Sequence, residues 1–104
     1  MSRLAFTMHL LKGHEEEYKR RHDAIWPELT QLLKTTGIKD YSIYLDETTG
    51  TLFAMMEVED EIELSRLPDQ PVMKKWWAFM GDIMRTNPDH SPVTTPLKKV
   101  FHLP

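Results

Sequence analysis

The stretch YSIYLDETTGTLFAMMEVE (residues 41–59) decides the fold of this chain. It holds two runs of strand-forming residues on either side of the turn sequence DETTG, a pattern typical of a β-hairpin. Because successive side chains of a strand point to opposite faces, Tyr41, Ile43 and Leu45 share one face, and Ser42 and Tyr44 share the other. The centre of the chain therefore predicts two neighbouring antiparallel strands.

A strand and a helix are predicted on each side of this hairpin. Towards the N-terminus, residues 3 to 11 predict a strand, and residues 14 to 36 predict an amphipathic helix that ends at Gly37. Towards the C-terminus, residues 72 to 84 predict a second helix, with apolar side chains at helical spacing, and residues 97 to 103 predict a last strand. The order β-α-β-β-α-β indicates an α+β, ferredoxin-like fold, in which the helices cover one face of an antiparallel sheet.

The first helix carries a titratable group on its apolar side. Within EYKRRHDAIWPEL (residues 17–29), the side chains spaced at i, i+4, i+7, i+8 and i+11 fall on one helical stripe, namely Tyr18, His22, Ile25, Trp26 and Leu29. Pro27 lacks an N–H, so a kink is expected there, and the carbonyl of Asp23 loses its usual helical partner. That freed carbonyl is a candidate for orienting the His22 ring.

Length and composition limit the possible functions. A chain of 104 residues suits one domain, taken here as residues 1–104. The net charge is -3, and the one basic cluster follows three glutamates that can pair with it at i, i+4, so no nucleic-acid partner is expected. The absence of cysteine excludes disulfides and thiolate chemistry and fits a reducing compartment. No signal peptide or run of ~20 apolar residues is recognised, so a cytoplasmic protein without a membrane partner is expected.

His22 is the sharpest candidate for chemistry, because an imidazole can both donate and accept a proton near neutral pH. The plainer alternative is a core histidine with satisfied hydrogen bonds. Tyr18 and Tyr41 are ambiguous alone, since tyrosines often pack with the hydroxyl at a rim. Trp76 and Trp77 lie about 100 degrees apart round a helix, so we expect one to pack inward and the other to line an edge. They could form the aromatic wall of a sugar pocket or belong to the core.

The sheet face away from the helices is expected to be partly apolar. Ile43, Phe53, Met55 and Val100 are candidates for that face, depending on strand register. An uncovered apolar face usually marks a partner or ligand surface. The sequence therefore raises the hypothesis of dimerisation or of a cleft.

Six segments together resemble the L-rhamnose mutarotase family: EYKRRHDAIWPEL, YSIYLD, LFAMMEVE, KKWWAFM, NPDHSPV and the terminal VFHLP. The resemblance runs from the first predicted strand to the last residue, in order and with compatible spacing. Its most specific parts are the RRH and IWPEL motifs, the tryptophan pair and the NPD and SP pairs of the late loop. His102 is a mild departure, since an aromatic residue such as tyrosine is expected there.

The resemblance implies a homodimer of the dimeric α/β-barrel type that interconverts the α and β anomers of L-rhamnose without cofactor or metal. It implies that His22 is the catalytic proton donor. It also implies that Tyr18, Tyr41, Trp76 and Trp77 contact the sugar. The base that takes the anomeric proton stays open among Tyr18, Tyr41, a water and a backbone carbonyl.

Two alternatives compete with this interpretation. The first is a cofactor-free monooxygenase or related enzyme, because one fold hosts several chemistries. The second is a non-enzymatic ligand-binding or dimerisation module in which the tryptophans are core residues and His22 is structural.

Overall fold

The computed structural model describes residues 2–104 and has the predicted α+β architecture. Its elements in chain order are β1 (Ser2–His9), α1 (Glu15–Asp23), α2 (Pro27–Thr35), β2 (Ile38–Asp46), β3 (Thr51–Val58), α3 (Glu61–Ser65), a 3₁₀ turn (Leu67–Asp69), α4 (Pro71–Met80) and β4 (Thr95–Pro96). The sheet order is β2-β3-β1-β4, and all the paired strands are antiparallel. This is the ferredoxin-like arrangement that the sequence predicts. No helix in the described part of the chain is long and apolar enough to cross a bilayer.

Pro27 divides the first predicted helix into two. α1 ends at Asp23, and Pro27 occupies the first turn of α2, where its missing N–H has no consequence. Trp26 between them has extended backbone angles, as expected before a proline. Gly37 follows α2 with φ +92, a left-handed conformation that glycine adopts freely, so the predicted helix end is confirmed.

The two faces of the sheet differ as predicted, but Ile43 and Val100 do not belong to the open face. On β3, Leu52, Ala54, Met56 and Val58 are buried beneath the helices, whereas Phe53 and Met55 are exposed on the other face. Ile43 pairs with Ala54 in the register and therefore lies on the covered face. The open face is thus apolar at Phe53 and Met55 but not at Ile43.

The predicted last strand at residues 97 to 103 is wrong. The backbone N–H of Leu97 still donates to the carbonyl of Ala5 at 2.9 Å, but regular pairing ends at Pro96. Beyond it the chain has no neighbour that covers its side chains, and Val100 and Phe101 are 88% and 77% exposed. Strand propensity needs a packed partner surface, which this segment lacks within one copy of the chain.

α4 ends four residues earlier than predicted, at Met80 instead of residue 84. Gly81 follows the last helical residue, and glycine is a poor helix former. Ile83 and Met84 are nevertheless buried, because the turn after the helix folds them onto the core.

Candidate active site

A large open cleft lies between the covered face of the sheet and the helices, with a volume of about 2170 Å³. All five predicted site residues line it, namely Tyr18, His22, Tyr41, Trp76 and Trp77. Ligand pockets commonly measure ~300–1,000 Å³, so a monosaccharide would occupy only part of this volume. The structure therefore brings together residues that lie far apart in the sequence.

One hydrogen bond orients the His22 ring at the end of α1. Its Nδ1 lies 3.0 Å from the backbone carbonyl oxygen of Tyr18, one helical turn earlier. A carbonyl oxygen can only accept, so Nδ1 carries the proton, and Nε2 is the nitrogen that remains for a ligand. The expectation that the Asp23 carbonyl orients the ring is wrong, because the carbonyl at i−4 on the same helix is already within reach.

Aromatic rings enclose the imidazole on two sides. The Tyr18 ring stacks on His22 with centroids 4.3 Å apart, and the Trp76 ring meets it edge-on at 5.4 Å. Trp76 in turn packs edge-on against Trp26 at 5.0 Å and contacts Phe79 at 5.6 Å. These contacts leave His22 few orientations and limit the water around its ring.

The two tryptophans of α4 divide as predicted. Trp76 is 5% exposed and belongs to the main core cluster, whereas Trp77 is only partly buried and packs at its edge. Both line the cleft. Trp76 therefore packs in the core and also lines the cleft, whereas Trp77 packs at the edge of the core and lines the cleft.

Burial shifts the pKa of three predicted site residues, His22, Tyr18 and Tyr41, towards the neutral form. Desolvation lowers the pKa of His22, against the opposing effects of the Tyr18 carbonyl and the charge of Asp23. Desolvation raises the pKa of Tyr18, with a smaller contribution from Tyr41. It also raises the pKa of Tyr41 to about 12, although 37% of that residue is exposed, because its exposed surface faces the cleft inside the molecule. At neutral pH the cleft holds a neutral imidazole and two intact phenols.

The lowered pKa of His22 predicts a pH-dependent loss of stability. The unfolded state binds a proton near pH 6.5, whereas the folded state binds it only at lower pH, so stability is constant above ~6.5 and falls as the pH drops towards the folded value. We expect His22→Gln to lose less unfolding free energy than the wild type between pH 7.5 and pH 5, measured by urea denaturation. Equal losses in the two proteins would contradict the shift.

The model of the family described as L-rhamnose mutarotase matches residues 3–103 of this chain. The chain belongs to the L-rhamnose mutarotase family. An L-rhamnose mutarotase of Brucella anthropi is 59% identical to it over 98% of this chain and 96% of the relative. One of Sinorhizobium fredii is 56% identical over 99% of both chains. The crystal structure of an L-rhamnose mutarotase from Formosa agariphila superposes with a TM-score of 0.93, at 51% identity over 100% of both chains.

The same fold also occurs outside the L-rhamnose mutarotase family. A crystal structure of an antibiotic biosynthesis monooxygenase superposes with a TM-score of 0.53, at 12% identity over 96% of this chain and 99% of that one. At that identity the likeness concerns the fold alone. The monooxygenase alternative is therefore not favoured over the function of the family to which the chain belongs.

A β-bulge in β2 turns Tyr41 towards the cleft of this mutarotase family member. Lys39 pairs with Glu57 but Ser42 pairs with Met55, so β2 carries one extra residue between them. Asp40 inside the bulge has φ +48, a left-handed conformation that aspartate tolerates better than most residues. The predicted face shared by Tyr41, Ile43 and Leu45 is confirmed, but the sequence contains no clear signal for the bulge that starts it.

The NPDHSPV loop (residues 87–93) is a further part of the cleft that sequence reasoning left without a role. Asn87, Asp89, His90 and Ser91 all line the cleft. The loop is closed by its own hydrogen bonds, including Asn87 N–H to the Ser91 carbonyl at 2.8 Å and Ser91 N–H to the Asp89 carboxylate at 3.0 Å. It therefore presents polar groups to the cleft.

Proposed function

We propose that His22 transfers the proton that opens and closes the sugar ring in this protein. Family membership makes the protein an isomerase that interconverts the α and β anomers of L-rhamnose. The observation that carries the proposal is the Nδ1 hydrogen bond to the Tyr18 carbonyl inside an aromatic cleft, since it leaves Nε2 as the reactive nitrogen.

The reaction needs one proton delivered and one removed. Nε2–H of the protonated ring, a minor form at neutral pH, donates to the ring oxygen, and the bond between that oxygen and C1 breaks. The anomeric hydroxyl loses its proton at the same time, which gives the open-chain aldehyde and neutral His22. Rotation about the bond from C1 to C2 turns the carbonyl. On reclosure the former ring oxygen, now a hydroxyl, returns its proton to Nε2, and the carbonyl oxygen regains the proton that was removed. The Tyr18 carbonyl stabilises the transient imidazolium through Nδ1–H in both directions.

The raised pKa values of Tyr18 and Tyr41 bear on which group takes the proton of the anomeric hydroxyl. Phenolate forms of Tyr18 and Tyr41 are disfavoured by burial, so neither is a good base at neutral pH. As intact phenols they can donate hydrogen bonds to sugar oxygens instead. A backbone carbonyl is far too weakly basic to hold a proton. We therefore assign the proton of the anomeric hydroxyl to a water molecule in the cleft.

Trp76 and Trp77 are proposed to form the apolar part of the sugar site, beside Tyr18 and Tyr41. The C–H faces of a pyranose and the C6 methyl group of a 6-deoxyhexose suit such rings. Apolar pockets discriminate against an added hydroxyl by only about 10²-fold, so hexoses that carry one at C6 are expected to react slowly.

Saturation-transfer NMR between the α and β anomeric protons of L-rhamnose tests the proposed activity. We expect saturation of one anomeric proton to diminish the other signal in proportion to protein concentration at neutral pH. Heat-denatured protein is the control. No increase over spontaneous exchange would contradict the function.

We also propose that two copies associate through the open face of the sheet, as one domain of residues 1–104 each, in the cytoplasm. Phe53 and Met55 are apolar and exposed on that face, and Val100 and Phe101 of the C-terminal segment are also uncovered in one copy. A cysteine-free chain depends on no oxidising compartment for its stability.

Size-exclusion chromatography coupled to light scattering tests the proposed dimer. We expect the wild type to elute with twice the mass of the chain and Met55→Lys to shift towards one copy, because a charge would be buried at the interface. Lys75→Met, a change at an exposed residue of α4 that is not on the sheet and does not line the cleft, is the control. A wild type that is monomeric at all concentrations would contradict the dimer.

A further inference from the structure

The guanidinium of Arg21 joins α1 to the C-terminal end of α4. Its Nη1 donates to the carbonyl of Phe79 at 2.8 Å and to Oδ1 of Asp82 at 2.8 Å, and its Nη2 donates to Oδ2 of Asp82 at 3.2 Å. Its Nε donates to the carboxylate of Glu17 at 2.7 Å. The side chain is only 11% exposed, which is unusual for an arginine. Four hydrogen bonds thus hold it in one conformation.

Each contact of Arg21 has a structural consequence at α4. The Phe79 carbonyl is one of the last in the helix and has no helical N–H partner, so the guanidinium caps the helix end and complements its dipole. The guanidinium also lies over the Phe79 ring, 4.6 Å from its centroid. The fork geometry on Asp82 needs both nitrogens, which a lysine cannot supply.

The hydrogen bonds of Arg21 to Phe79 and Asp82, called the clamp below, lie directly beside His22, the proposed catalytic residue. Arg21 precedes His22 on α1, and the helix that it holds carries Trp76, whose edge meets the His22 ring. Phe79, under the guanidinium, packs on Trp76 from the other side. Within residues 2–104, every hydrogen bond from an α1 side chain to residues 71 to 84 comes from Arg21.

We propose that Arg21 is a positioning residue for the anomer exchange. By tying α1 to the end of α4, it fixes the place of the His22 ring against Trp76 and hence the place of Nε2 in the cleft. The inference rests on the catalytic role proposed for His22. It adds that the guanidinium of Arg21 sets the relative position of α1 and α4. This position limits the rate.

The size of the expected effect follows from the geometry. A displacement of a catalytic group by 1 Å can reduce the rate about 10²-fold. Without the clamp, α1 is held by apolar packing, which permits small sliding. The sugar contacts proposed for Tyr18, Trp76 and Trp77 lie on the two joined helices, but aromatic contacts tolerate a small displacement better than proton transfer does. A change at Arg21 should therefore affect kcat more than KM.

Arg21→Met tests this inference, with Arg20→Met as the matched control. Arg20 also pairs with Glu17, at 2.8 Å from its Nε, but it is exposed and makes no hydrogen bond to α4. We expect Arg21→Met to lower kcat about 10- to 100-fold, with KM changed less than about threefold. We expect Arg20→Met to keep wild-type kcat. Both are compared below their melting temperatures by saturation-transfer NMR.

The ring protons of His22 provide a readout that simple destabilisation would not move. They lie against the Tyr18 face and the Trp76 edge, so their chemical shifts depend on ring currents. We expect Arg21→Met to shift these resonances and Arg20→Met to leave them in place. Wild-type kcat and unchanged His22 resonances in folded Arg21→Met would overturn the inference.

Two further variants make every outcome decisive. If Arg21→Met does not fold, Asp82→Ala removes the fork contact without changing α1, and its kcat and His22 resonances decide in the same way. Asp82→Ala removes two of the three hydrogen bonds from Arg21 to the end of α4. Wild-type values there would mean that the fork contact has no positioning role and would overturn the inference, and a smaller change in the same direction supports it. His22→Ala is measured in parallel. If it keeps full activity, the catalytic proposal fails, whereas loss there with wild-type kcat in Arg21→Met refutes only the positioning role.

Discussion

Replacing His22 with alanine should remove about 10²- to 10⁴-fold of the catalysed anomer exchange, the range that one positioned acid or base contributes. The reaction forms no covalent intermediate and already proceeds slowly in water. Proton transfer is therefore the main contribution that the protein can make. Saturation-transfer NMR on L-rhamnose measures the loss directly as an exchange rate per mole of folded protein.

Two controls separate proton transfer from support of the site. His22→Gln keeps a side-chain N–H that can donate to the Tyr18 carbonyl, but it cannot transfer a proton at neutral pH. We expect it to be as inactive as His22→Ala while folding more like the wild type. His90→Ala changes a histidine that also lines the cleft but lies in the late loop, and it should keep most of the activity. Full activity in His22→Gln would mean that the ring only fills space.

Replacing Trp76 with alanine should destabilise the protein by about 3–5 kcal/mol, the usual loss for a large aromatic residue in a core. Trp76 is 5% exposed and contacts Trp26, Phe79 and His22, so the substitution removes packing contacts with three aromatic rings. Small domains are stable by only ~5–15 kcal/mol, so the variant should melt at a much lower temperature. Urea denaturation followed by circular dichroism measures the difference. If the alanine variant does not fold, Trp76→Phe should show a smaller loss of the same sign.

Trp77→Ala is the matched control, because the same residue type lies one position further on the same helix. Trp77 is only partly buried, so we expect a loss below about 2 kcal/mol, close to that of an ordinary substitution. If Trp77 also contacts the sugar, the KM for L-rhamnose should rise about 2- to 10-fold, as expected from an aromatic contact of ~0.5–1.5 kcal/mol. Equal losses of stability at the two positions would contradict the division of roles.

The position of His22 near the opening of a cleft shows how a charged helix can carry a buried titratable group. Glu17 pairs with Arg20 and Arg21, and these pairs lower the pKa of Glu17 to about 2. Five of the seven charged residues of α1 are thus paired with one another or with Asp82. The stripe of Tyr18 and His22 is left to face the sheet.

Local spacing was sufficient to predict much of the fold and part of the site. The alternation in β2 and β3 and the turn between them predicted the hairpin, because side-chain period and turn chemistry act over a few residues. Helical periodicity placed Tyr18 and His22 on one stripe and separated Trp76 from Trp77, since these relations exist within a single helix. The pairing of Glu17 with Arg21 at i, i+4 follows from the same periodicity.

The sequence by itself thus determined the first three strands, the two amphipathic helical regions and the residue types of the cleft, because these depend on interactions between near neighbours in the chain. The tertiary structure alone decided the hydrogen bond of Arg21 to Asp82, the contact of Trp76 with His22, the bulge that aims Tyr41 and the unpaired end after Pro96. Those features depend on where distant elements meet, on strand register and on which surfaces find a partner. No short-range pattern encodes them, and they govern the geometry on which the proton transfer depends.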